Sequence, residues 1–185
     1  MPAAAERSPL VSLMILGWGV GGVLGLLTNA VLRLWPLAIE PVQSGSMTPL
    51  LWVVAIAWIL FMGYTEGYRG FHRAFAPRVI VRARWLSENP RGYLVVLAPI
   101  FCMGLIHATK VRKIVSWSIL IGVICLVMVV RGLEQPWRGI VDSGVVIGLG
   151  IGTLSVVLHL VRSFFGNPPQ IPADVPSRAP AVGAV

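Results

Sequence analysis

Charge is scarce in this chain. Only 12% of its 185 residues are Asp, Glu, Lys or Arg, against about 25% in a soluble domain, which excludes an ordinary water-soluble globular protein. Acids are scarcest, seven against fifteen Lys and Arg, and no segment pairs two carboxylates for acid–base work. There is no G-x-S-x-G, no H-E-x-x-H and no P-loop, so no catalytic residue is expected and the chain does not read as an enzyme. The two cysteines, Cys102 and Cys125, sit inside apolar runs and form neither CxxC nor a Cys/His ligand set. They read as small hydrophobes, and no metal site is expected.

What is present is apolar length. Hydrophobic residues make up 56% of the chain and its mean hydropathy is +0.82. Five apolar runs stand out, 10–35, 50–64, 93–108, 114–130 and 140–161, and a membrane span needs about 20 such residues. The expectation is an all-α integral membrane protein with five membrane-embedded helices. The first run is too long for a signal peptide and lacks a small-residue exit, so it reads as a retained span. Around this helical membrane domain (10–165) lie a short N-terminal segment (1–9) and a Pro-rich tail (166–185) expected to be disordered.

Net charge is +8. In a chain this apolar the basicity points to anionic membrane lipid and not to nucleic acid. The largest loop, 66–92, carries Arg69, Arg73, Arg78, Arg82, Arg84 and Arg91. Phe71, Phe75, Val79, Ala83 and Leu86 share one helical face there, Arg78 and Arg82 intrude on it and Pro77 interrupts it, so the loop reads as an interfacial helix-break-helix facing the cytoplasm of a bacterial inner membrane. Five full crossings is the topology adopted. It leaves Lys110, Arg112 and Lys113 outside, whereas four crossings with 93–108 re-entrant would bring them in, as the positive-inside rule prefers.

Two glycine zippers are the sharpest pattern. Gly17, Gly21 and Gly25 in the first helix and Gly144, Gly148 and Gly152 in the last recur every four residues, so each trio forms a flat groove for close helix packing. The first and last helices are expected to pack on each other, with a homo-oligomer or larger membrane complex as the other use of these faces. Asn29 extends the first groove, beside Thr28. Ser155 and His159 are its expected partners if the two helices run parallel, as five crossings require.

His107 and His159 come out on one side of the membrane, the arrangement a bis-imidazole haem b would need, although no cofactor is the leading expectation. Arg69, Arg91, Arg131 and Arg138 each precede a glycine at a helix boundary, and five crossings place all four on one face as lipid or anion contacts. Glu66, Glu134 and Asp142 are acids at helix boundaries, Asp142 placed to neutralise Arg138 or to complement a helix dipole. The functional expectation is an accessory or structural subunit that packs through its glycine faces and contacts anionic lipid. A small oligomeric transporter or channel lined by Asn29, Thr28, Ser155 and His159 is the alternative, and a haem-bearing membrane protein the third.

Overall fold

The structure is a computed structural model describing residues 8–176, so Arg7 and Arg178, and most of the expected N-terminal segment and the end of the tail, lie outside the described residues. It is all-helical: α1 (Pro9–Gln43), α2 (Pro49–Met62), a π-helical segment (Gly63–Phe75), α3 (Ala76–Glu88), two five-residue helices α4 (Gly92–Val96) and α5 (Ala98–Cys102), α6 (Lys110–Arg131) and α7 (Trp137–Phe164). The first two helices start on Ser-Pro and Thr-Pro. The Ser8 and Thr48 hydroxyls accept from the Val11 and Leu51 amides, and each proline takes a first-turn position whose N–H would be unpaired anyway.

Four helices are long and apolar enough to cross a membrane, Pro9–Gln43, Pro49–Glu88, Lys110–Arg131 and Trp137–Phe164. The fifth expected span is not one of them. Residues 93–108 break into α4, α5 and an irregular turn through Gly104, whose φ of +80° suits glycine. The expected helix-break-helix at 66–92 is also corrected: α2, the π-helical segment and α3 form one helix of 40 residues. Pro77 falls in the first turn of α3, where bonding has just changed from i→i+5 to i→i+4 and a missing N–H costs least.

The direction of each helix follows from its contacts. Ser12 Oγ donates to the Ser87 carbonyl, and Trp58 Nε1 donates to the Val141 carbonyl. At the other end of α1, Gln135 Nε2 donates to the Leu37 carbonyl at 3.3 Å and to Glu40 at 2.8 Å. A Cβ on Gly139 would meet the Pro41 ring and, at 2.9 Å, the Leu37 carbonyl. So α1 runs against the 40-residue helix, and α7 runs along that helix and antiparallel to α1. This overturns the parallel arrangement on which an Asn29–His159 contact depended.

The core gathers at the end of the bundle where α1 begins and α3 ends. Ile15, Val20 and Val23 of α1, Val79, Ile80 and Leu86 of α3, Leu94 and Phe101 of the short helices and Val156 of α7 are buried together. The apolar face expected on 71–86 is therefore real, but it packs inside protein and not on a bilayer surface. By contrast α6 buries only Ser116 and Val130. It is held at its start by Ser116 Oγ and Trp117 Nε1, which donate to the Met103 and Leu105 carbonyls.

Candidate functional site

The two zippers have different fates. On α7, the Gly144, Gly148 and Gly152 face is filled by the 40-residue helix. A Cβ would meet the Trp58 ring at Gly144, Glu66 at 3.2 Å at Gly148 and the Phe71 ring at 2.6 Å at Gly152. The groove thus seats the second half of α2 and the π-helical segment, not α1. On α1, Gly17, Gly21 and Gly25 are exposed and a Cβ there meets nothing within 4 Å. The close approaches on α1 are made by Gly19, against Cys102 Sγ at 3.0 Å, and by Gly22, against the Pro99 ring. α1 and α7 do pack, but not groove to groove as expected.

The π-helical segment brings polar groups to the α7 seat. A π-helix of 13 residues is unusual, since most are single turns and often sit at functional sites. Tyr64, Tyr68 and His72 stack in a column along it, with ring centroids 6.1 and 5.6 Å apart. His72 Nδ1 lies 3.1 Å from Ser155 Oγ, and His159 Nε2 lies 3.2 Å from the His72 carbonyl. The two imidazoles are 5.2 Å apart. His72 is thus the partner that Ser155 and His159 find, while Asn29 and Thr28 are exposed. Sequence reading missed His72 because it lies in a stretch that looked like surface loop.

His107 has other neighbours. Its Nε2 is 3.3 Å from Arg91 Nη1, and its ring lies 6.0 Å from Trp85 and 6.3 Å from Phe101. Arginine can only donate, so that nitrogen is the acceptor of a neutral imidazole. Burial, then Arg91, Arg82 and Lys113, hold the His107 pKa below its ordinary 6.5. Nearby, burial pushes the Cys102 thiol up to about 12, with Arg82 opposing, in keeping with an inert apolar role.

Arg82 holds this end of the molecule together. It is 1% exposed, and its guanidinium lies 4.1 Å over the Phe101 ring. Nε donates to the Phe101 carbonyl at 2.7 Å, Nη2 to Ile106 and His107 at 3.0 and 3.2 Å, and Nη1 to Ala173 and Asp174 at 2.7 and 3.5 Å. All five N–H donors meet carbonyls, and no carboxylate is needed. The tail expected to be free of the fold therefore docks through residues 173–174, and the Asp174 carbonyl also accepts from the Thr109 amide at 2.8 Å.

Beside this hub a cleft of about 490 Å³ opens between α6 and the π-helical segment. Arg78, Thr109, Arg112 and Asp174 line its polar end, and Phe75, Val115 and Ile119 are among its apolar walls. Arg78 Nη1 donates to the Ala74 carbonyl at 2.7 Å, and its Nε is 3.6 Å from the Asp174 carboxylate. Arg112 Nε is buried and has no hydrogen-bond partner.

The remaining expected site residues are dispersed. Arg69, Arg91 and Arg131 are exposed. Arg131 and Arg138 flank the α6–α7 turn, at the opposite end of the bundle from Arg91, so the four Arg-Gly pairs do not share a face. Arg138 Nε lies 3.7 Å from Asp142 Oδ2 one helical turn on, Glu134 is exposed in the turn, and Glu66 rests half-buried on Gly148. No metal-binding group of three or more His, Cys, Asp or Glu occurs among the described residues. No protein-family model, curated protein or solved structure matches the chain.

Proposed function

We propose that this is an integral protein of a bacterial inner membrane that acts by helix packing, as an accessory or structural subunit seated against a transmembrane helix of another chain, with anionic lipid at its basic end. The supporting observation is the contrast between the glycine grooves. The same spacing that lets α7 accept a helix at close range is repeated on α1 with nothing over it. Outside water, close backbone approach is what drives helices together, and Gly-x-x-x-Gly faces supply it. Asn29 continues the open face by one turn, where an amide can hydrogen-bond to an incoming helix.

In this proposal the chain crosses four times, with α4 and α5 re-entrant. The start of α1, the end of α7 and the cations Arg78, Arg84, Arg91, Lys110, Lys113 and Arg162 then lie on the cytoplasmic side, and Arg131 and Arg138 outside, as the positive-inside rule favours. Irregular backbone at membrane depth must be satisfied by protein, and Arg82 takes the carbonyls of Phe101, Ile106 and His107 in the turn after α5.

Cross-linking tests the packing. With Cys102 and Cys125 replaced, Gly21→Cys treated with a bifunctional thiol or thiol–amine reagent in native membranes should give a larger adduct, and Gly21→Ile should lose the co-purifying chain while keeping the monomer's melting temperature. Monomer alone in both experiments would overturn the reading. Solute flux into liposomes holding the purified chain alone would favour a transporter instead.

A further inference from the structure

We infer that the cleft between α6 and the π-helical segment binds an anionic phospholipid, its phosphate between Arg78 and Arg112 and an acyl chain along Phe75, Val111, Val115 and Ile119. This rests on the membrane reading above and names the lipid contact that reading leaves general.

The cleft exists because α6 is held near its two ends, by Ser116 and Trp117 at the start and by the burial of Val130 at the finish, and little in between. Ser116 and Trp117 tie it to the 103–105 turn, after which it stands away from the π-helical segment and leaves about 490 Å³ between them. One wall is the α6 stripe Val111, Val115 and Ile119, four residues apart and so on one face. These side chains are 74%, 41% and 61% exposed, so the cleft opens sideways, where a bilayer would supply a chain.

The polar end has an uncompensated cation. Two guanidiniums, Arg78 and Arg112, face one carboxylate, Asp174, which lies nearer Arg78. That leaves one positive charge, matching the single negative charge of a phosphodiester. Arg112 Nε itself is sealed, 3.1 Å from where a Cβ on Gly104 would lie, so a phosphate oxygen would be held by the terminal nitrogens of the guanidinium that lines the cleft, as a charge-assisted contact. The first amides of α6 point the same way, since Thr109 makes no side-chain cap there, and a helix start favours an anion. A headgroup carrying its own cation would be repelled by the unneutralised guanidinium, so a lipid of net negative charge is favoured.

Delipidated full-length protein in mild detergent, titrated with phosphatidylglycerol and followed by native mass spectrometry and melting temperature, tests this. Wild type should bind and be stabilised. Arg112→Gln should weaken binding about tenfold or more, the loss of one charge-assisted contact. Val115→Trp, which fills the cleft at a partly exposed position, should abolish it, and Arg131→Gln at the far end should leave it unchanged. Equal affinity for phosphatidylcholine, or an equal shift with inorganic phosphate, would overturn the inference, as would wild-type binding by both Arg112→Gln and Val115→Trp. Gly21→Ile should keep the lipid, so intact lipid binding together with no Gly21→Cys adduct in native membranes would overturn the subunit reading alone.

Discussion

A guanidinium out of water is stable only when its donors are engaged, and Arg82 engages all five with carbonyls from two distant stretches of chain. With the Thr109 amide on the Asp174 carbonyl, these bonds fix the 101–107 turn against the tail, so the arginine helps to set the shape of this end alongside the apolar core around it. Lysine has three donors radiating from one nitrogen and cannot reproduce a planar fork. Arg82→Lys should therefore lower the melting temperature in detergent, losing at least two charge-assisted bonds at about 1.5–3 kcal/mol each, and should make the tail at Ala173 more susceptible to proteolysis. A melting curve and digestion pattern equal to wild type would show that the carbonyl cage is dispensable. The signal for Arg82 was present in the sequence as a charge intruding on an apolar face. Its meaning was not, because a cation on such a face reads equally as a snorkelling surface residue.

An element's neighbours decide what its pattern is for. The Gly144, Gly148 and Gly152 stripe is legible as a groove, yet its occupant, a π-helical segment bearing Phe71 and Glu66, is not, since tyrosines, glycines and arginines over 63–75 resemble a loop. A leucine at Gly152 must collide with Phe71, whose ring lies 2.6 Å from the position of a Cβ. Gly152→Leu alone should cost about 1–3 kcal/mol by overpacking, and Phe71→Ala alone about 3–5 kcal/mol by leaving a cavity. The double variant should melt at a higher temperature than the sum of the two losses implies, because leucine refills the space the ring vacates. Strict additivity would mean the two positions are not in contact.

At the scale of the molecule, α1 and α7 run antiparallel, which in the proposed topology makes the number of passes even and leaves the bundle's two ends sharply different in charge. With Cys102 and Cys125 replaced, Glu134→Cys should react with an impermeant maleimide in intact cells, and Val111→Cys only after permeabilisation. The reverse pattern would invert the orientation. Labelling of both positions in intact cells would show that α6 does not cross, and would remove the lipid cleft with it.

Composition and hydropathy alone determined that the chain is helical and apolar enough for a membrane, and where α1 and α2 start, because each of these properties is carried by residues within a few positions of one another. Tertiary structure decided the rest. It broke 93–108, which has only enough apolar residues for a short span and contains Pro99 and Gly104, into pieces packed against Gly19 and Gly22. It turned one glycine groove inward and left the other open, although the two are spelled alike. And it chose carbonyls at 101, 106, 107, 173 and 174 to hold Arg82, a choice no sequence pattern announces, since every residue carries a carbonyl and only the fold brings particular ones within reach.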